Sequence, residues 1–219
     1  MEDSIFYNIF YNNTSQRFID IEINYISKND VFETIFQIAA WRPGRYELQH
    51  YARNIQNLRI EDHSGSLLKY TKVDRNSWKV DHPQSAGIKI KYRYFAMQMD
   101  AGGCWVDEHQ LYLNFICCLL YPQNKKKLRC EVKFYTSKEF HIISALPNHN
   151  GVLKATSFYE LVDSPTILTD HFEKITYTVN DVIFNCLLIG KTTLDNYKIV
   201  EDFKKFTDIQ YQIFGEFPF

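Results

Sequence analysis

The feature that most constrains the fold is strict alternation of apolar and polar residues over short runs. It is clearest in residues 87–97, GIKIKYRYFAM. Ile88, Ile90, Tyr92 and Tyr94 fall on one side, and Lys89, Lys91 and Arg93 on the other. Side chains of a strand point alternately to opposite faces, so one face is apolar and the other wetted, as in an antiparallel sheet. Residues 4–11, 17–26, 55–61 and 128–135 repeat the pattern, and residues 32–40, 67–73, 76–80 and 140–145 read as further strands between turn residues. Residues 172–179 and 182–189 flank Asn180-Asp181, a hairpin turn pair. Residues 112–121 are almost wholly apolar and read as a strand buried on both faces, whereas 98–111 read as irregular. The expected class is mainly β: an antiparallel β-sandwich or open-barrel-like domain with a C-terminal amphipathic helix.

That helix is expected after Asp195. Ile199, Phe203, Phe206 and Ile213 recur at helical spacing, Asp195 suits the N-cap, and Gly215 with Pro218 suits the end. The chain is expected to divide into a β-rich domain over 1–192 and a helix over 193–219 that leads toward a further domain. The bulky close, Phe217-Pro218-Phe219, supports the expectation that a longer protein continues from here.

Residues 41–58 carry the densest chemistry. Trp41, Pro43, Gly44, Tyr46 and Tyr51 supply bulk and turn geometry, and Arg42, Arg45, Arg53 and Asn54 supply charge and hydrogen-bonding groups. Pro43-Gly44 marks a tight turn, because proline presets φ and glycine accepts positive φ. A loop so rich in Trp, Tyr and Arg is a buried corner or a recognition surface, and the bulk of its aromatics favours the corner.

Composition excludes several classes. Lys plus Arg number 25 and Asp plus Glu 26, for a net charge of −1, without the basic face that nucleic acid requires. Lys125-Lys126-Lys127 reads as a solvated hairpin tip. The five cysteines, Cys104, Cys117, Cys118, Cys130 and Cys186, include no CxxC pair, so neither a disulfide framework nor a cysteine zinc site is expected. Reduced thiols and the lack of a signal-like first segment fit a cytoplasmic protein, or a periplasmic or exported one if a leader precedes the chain. No run approaches the ~20 apolar residues that span a bilayer, so no membrane partner is expected.

Candidate chemistry is sparse. Asp107, Glu108 and His109 stand together beside Trp105, where a carboxylate next to an imidazole could do acid–base work or bind a metal. Asp163, before Ser164-Pro165, could hold a turn or face a ligand. No GxSxG, Walker loop, GxGxxG, EF-hand loop or HExxH occurs, so no catalytic residue and no metal ligand is assigned in this chain.

Together these motifs resemble the N-terminal domain of the glycyl aminopeptidase family of zinc metallopeptidases. The residues that carry the resemblance are Trp41-Arg42-Pro43-Gly44-Arg45-Tyr46, Tyr51-Ala52-Arg53-Asn54-Ile55-Gln56 and Asp74-Arg75-Asn76-Ser77-Trp78. They continue with Asp107-Glu108-His109, Tyr112, Asn114, Ala145-Leu146-Pro147, Glu160 through Pro165, and Phe214 through Phe219. Cys104-Trp105-Val106 departs from the pattern. The resemblance implies a β-rich domain that precedes a thermolysin-like catalytic domain. Zinc and the HExxH general base would lie in that domain, outside this chain, and the activity would be removal of N-terminal glycine or alanine. The expected partners are the chain's own catalytic domain and peptide substrates, with Asp107, Glu108, His109 and Asp163 as candidate cleft residues. The competing expectations are a stand-alone β-sandwich module that binds peptides or carbohydrates, and a metal-dependent enzyme built on Asp107 and His109.

Overall fold

The computed structural model describes residues 4–12, 15–26, 31–84, 87–191 and 193–217. Part of the turn at 12–16, the break at Lys28–Asp30 and the Pro218 stop lie outside the described residues. The chain divides into two compact units, Met1–Leu168 and Thr169–Phe219.

In chain order the first unit begins with β1 (Ser4–Tyr11), β2 (Phe18–Ile26) and β3 (Glu33–Gln37). A 3₁₀ turn (Tyr51–Asn54) leads into β4 (Ile55–Asp62), β5 (Tyr70–Lys72), β6 (Ser77–Asp81) and β7 (Gly87–Phe95). Next come β8 (Cys104–Val106), β9 (Gln110–Leu113), the helical turn α1 (Phe115–Cys118), β10 (Tyr121–Pro122) and β11 (Arg129–Thr136). Then follow β12 (His141–Ile143), β13 (Asn148–His149), β14 (Val152–Ala155), α2 (Phe158–Val162) and β15 (Thr166–Thr169), whose last residue opens the second unit. The second unit adds β16 (Glu173–Val179), β17 (Val182–Leu188) and α3 (Asn196–Phe214).

Seven strands form the largest sheet, in the order β13-β14-β11-β1-β2-β7-β4. Alternation decides its faces. Ile5, Tyr7, Ile9 and Tyr11 of β1, Ile19, Ile21, Ile23 and Tyr25 of β2, and Ile88, Ile90, Tyr92 and Tyr94 of β7 are all buried. Each fully buried isoleucine contributes about 1.5–3 kcal/mol. The opposite face carries ion pairs such as Arg93–Asp20 (3.1 Å) and Lys91–Glu61 (3.2 Å). Within this sheet β1 and β11 run parallel, with Tyr7 opposite Val132, while the other neighbours pair antiparallel. Two four-stranded sheets, β10-β3-β6-β5 and β12-β15-β9-β8, add Phe36, Trp78, Val80, Val106 and Leu111 to the same core. Tyr25 meets Phe36 edge-on at 5.6 Å between ring centroids, joining two sheets. The architecture is mainly β and sandwich-like.

Two expectations are corrected here. Residues 98–111 are not wholly irregular, since they contain β8 and the first half of β9, which pair with Trp105 opposite Tyr112. The apolar run 112–121 is not one strand. After Leu113 it coils into α1, and buried tyrosines from distant strands satisfy its backbone. Tyr92 donates to the Cys118 carbonyl (2.6 Å) and accepts from the Leu120 amide (3.2 Å), and Tyr7 donates to the Leu120 carbonyl (3.2 Å). Residues 158–162 form α2, because Ser157 caps the Glu160 amide (3.2 Å) while the Glu160 carboxylate takes the Thr156 amide (2.6 Å).

In the second unit, Asn180 (φ 48°) and Asp181 (φ 63°) turn β16 into β17. Two successive positive φ values match the twist of the flanking strands. The Asp195 carboxylate caps α3 by accepting from the Tyr197 amide (2.9 Å), and Gly215 (φ 78°) ends it. The helix meets its hairpin through Tyr177, which bonds Thr207 (3.0 Å) and lies 6.3 Å from the Phe203 ring. Phe206 and Ile213 of the expected stripe are 57% and 69% exposed. The line that faces the hairpin is Phe203 and Thr207, one helical turn apart.

Candidate functional site

Three separate segments of the first unit converge on one cleft of about 660 Å3. Trp41, Arg42 and Pro43 supply one wall, Tyr112 and Asn114 a second, and Asp163 with Pro165 a third. Each is held by local structure. The Arg45 amide donates to the Arg42 carbonyl (3.3 Å) across Pro43-Gly44, and Gly44 has φ 79°, the geometry of a proline–glycine turn. The Gln49 amide donates to the Ala40 carbonyl (2.7 Å) and closes the base of the loop. Asn114 is buried. Its side-chain amide donates to the Ala101 carbonyl (2.6 Å), and its own carbonyl accepts from Cys117 (2.9 Å) to start α1. Asp163 caps the C-terminus of α2 through its backbone, donating to the Tyr159 carbonyl (3.1 Å). Its carboxylate is exposed and makes no hydrogen bond or ion pair with the described residues. Tyr121 stacks on Phe158 at 4.1 Å, and the Lys126 ammonium lies 5.6 Å from the Tyr159 ring centroid; all four residues also line the cleft.

The Trp41 loop is not the buried corner expected of its bulk. Trp41 is 48% exposed and Tyr46 95% exposed. The far end is buried and anchored: Tyr51 is buried and the Asn54 amide donates to the Tyr94 hydroxyl (3.1 Å), while Arg53 is exposed. Trp78 is buried in β6 with the Lys72 ammonium over its ring at 5.1 Å.

Asp107, Glu108 and His109 form the tip of the β8–β9 hairpin and do not line the cleft. Asp107 is committed to the turn. Its Oδ1 accepts from the His109 amide (2.8 Å) and the Gln110 amide (2.9 Å), and its Oδ2 accepts from Trp105 Nε1 (2.7 Å). Burial pushes its pKa up, but these donors and the nearby Arg17 charge outweigh that and hold it below the ordinary aspartate value. Tyr11 donates to the Asp107 carbonyl (2.5 Å) and Arg17 to the Val106 carbonyl (2.5 Å), with the Arg17 guanidinium 4.6 Å from the Trp105 ring centroid. The hairpin is thus clamped from the β1–β2 end. Glu108 and His109 are exposed, with His109 Nε2 3.4 Å from Glu108 Oε1. Among the described residues, no three His, Cys, Asp or Glu side chains come together as a metal site.

Sequence reasoning placed Asp163 among the site residues but did not assign Arg42, Tyr112 or Asn114 to a site. The available signal was that all three lie inside the family-like motifs.

Comparison with known proteins decides the family. The family model described as Peptidase M61 N-terminal domain matches residues 6–170. The chain belongs to the Peptidase M61 N-terminal domain family. The match spans β1 through β15 and includes every segment that lines the cleft. The fold of this family member is similar to that of an aminopeptidase N family protein from Idiomarina loihiensis, at 20% identity and a TM-score of 0.87. The similarity covers 98% of this chain and 37% of that one, so this chain spans little more than a third of that protein. An M1 zinc metallopeptidase from Deinococcus radiodurans is more distantly similar, at 9% identity and a TM-score of 0.48, over 94% of this chain and 52% of that one. No curated protein matches the sequence. No helix of the described residues is long and apolar enough to cross a membrane.

Proposed function

We propose that this chain is the non-catalytic N-terminal domain of a zinc metallo-aminopeptidase of the glycyl aminopeptidase type, and that it walls one side of the substrate cleft. The observation that carries the reading is the convergence of the Trp41 turn, the Tyr112–Asn114 segment and the Asp163–Pro165 segment on one cleft, in a chain of this family. In this reading zinc and the general base belong to a catalytic domain that follows, and the described residues contribute no ligand to the metal. The division at 192/193 is kept within the proposal, with α3 leading toward that domain and peptides as the substrates.

Asp163 has the clearest role, because its unpaired carboxylate suits the free amino group of a peptide. Glu108 and His109 are rim candidates at the hairpin tip, and Asp107 acts on them through the turn it holds. The alternative of a stand-alone peptide- or carbohydrate-binding module has less support, since the family is that of a peptidase's N-terminal domain. The test uses the longer protein with chromogenic glycyl and alanyl substrates. Asp163→Ala is expected to raise KM about five- to thirtyfold with the fold intact, the loss of one charge-assisted contact of about 1–2 kcal/mol. Unchanged kinetics in Asp163→Ala and Glu108→Ala would remove the substrate role.

A further inference from the structure

We propose that the cleft borders a basic recess in which Lys126 binds a carboxylate of the peptide, either its chain end or an acidic side chain. This rests on the peptidase reading above and specifies what the peptide presents besides its ammonium end. The recess has a volume of about 610 Å3 and is lined by Asn124 through Arg129 and by Tyr159. Four of the lining residues, Lys125, Lys126, Lys127 and Arg129, are cations, and none of the described lining residues is an acid. Lys126 and Tyr159 line the cleft as well, so the two hollows meet along these side chains. The lysine triplet, read from the sequence as a solvated hairpin tip, thus stands beside the cleft.

Backbone bonds hold this turn in place. The Lys125 amide donates to the Pro122 carbonyl (3.3 Å), the Leu128 amide to the Lys125 carbonyl (3.3 Å) and the Phe158 amide to the Lys126 carbonyl (3.0 Å). The last bond ties Lys126 to the start of α2, the helix that Asp163 ends. Lys126 is partly buried, and its ammonium lies 5.6 Å from the Tyr159 ring centroid. An aromatic face orients a cation but leaves its charge in place. Lys126 and Asp163 line the same cleft, yet neither is in an ion pair with a described residue. The cleft therefore carries one free charge of each sign, between aromatic and apolar walls. A peptide complements both, with an ammonium for Asp163, a carboxylate for Lys126 and apolar side chains for the walls. A polyanion that left the recess for the cleft would meet the repulsion of Asp163.

The experiment measures dissociation constants from saturable amide shifts in nitrogen-15-labelled protein, with the tripeptide Ala-Phe-Ala, its C-terminal amide and the C-terminal amide of Ala-Phe-Glu. The wild-type protein is expected to bind the Ala-Phe-Ala acid about three- to tenfold more tightly than its amide, the range of a charge-assisted contact that is partly exposed. Lys126→Gln should abolish this preference and Lys126→Arg should keep it, with melting temperatures unchanged in both. Raising the salt from about 0.1 M to 1 M should shrink the preference, because the screening length falls from about 10 Å to about 3 Å. If the Ala-Phe-Glu amide binds like the acid, the recess takes an acidic side chain; if it binds like the Ala-Phe-Ala amide, the recess takes the chain end. Equal affinities for acid and amide in the wild type, or a preference that survives in Lys126→Gln, overturn the inference. A Lys126-dependent preference in a longer protein that cleaves none of these peptides would keep the subsite and remove the peptidase reading. Cleavage by the longer protein without any such preference would keep that reading and remove the subsite.

Discussion

At the residue scale, a single carboxylate can look catalytic in the sequence and be structural in the fold. Asp107 sits between a tryptophan and a Glu-His pair, yet both of its oxygens are taken by donors of its own hairpin. Its folded pKa lies below the ordinary value, so the ionised form favours the folded state. The sign follows: this stabilisation is fully present above the unfolded aspartate pKa of about 3.9 and is lost as pH falls through the lower folded value. Melting temperatures of the wild-type protein should therefore drop through the range from about pH 5 to 3, and Asp107→Asn should show a shallower drop. At neutral pH the variant should be less stable by about 1 kcal/mol, because the new side-chain amide cannot accept from the Trp105 indole. Parallel pH slopes for the two proteins would contradict this role. Asp163 is the opposite case. It stands in a Ser-Pro break like many turn residues, but its carboxylate is left unpaired at the cleft.

Short elements are decided by capping and turn chemistry, which the sequence displays. Asn180-Asp181, Asp195 and Gly215 all do in the structure what their residue types suggest. Gly215 is a clean test because a Cβ there would meet no atom within 4 Å. Any penalty of Gly215→Ala thus comes from the backbone alone, which holds φ at 78°. The α3 unit should lose about 1 kcal/mol, read as faster amide hydrogen exchange in the last turns of the helix. Unchanged exchange would mean that the helix end frays in the native protein. The α2 cap, Ser157 with Glu160, is the same kind of local chemistry.

On the scale of the whole molecule, the stretch 114–120 shows why an apolar run need not be a strand. Its backbone must be satisfied in the core, and the partners are hydroxyls of Tyr7 and Tyr92, which lie 113 and 26 residues away from the groups they bond. Tyr92→Phe would leave the Cys118 carbonyl and the Leu120 amide unpaired in the interior. The expected loss is about 2–4 kcal/mol, from two orphaned groups at about 1–3 each. Urea denaturation with an unchanged slope would report it, and a loss under about 0.5 kcal/mol would show that the segment has another source of support.

Much of this protein is local, and its sequence by itself determined that part. Alternation along 87–97 and 17–26 settles which faces are buried, because the period of two is a property of the strand and not of its neighbours. Turn and cap residues set the ends of the last hairpin and helix for the same reason. The motifs around Trp41, Asn114 and Asp163 also revealed the family before any geometry was known. What only the tertiary structure decided are contacts between residues far apart along the chain: the parallel pairing of β1 with β11, the tyrosine-capped turn at 114–120, the exposure of Trp41, and the meeting of three segments around Arg42. Each depends on which groups arrive in the same place, and local pattern carries no term for that.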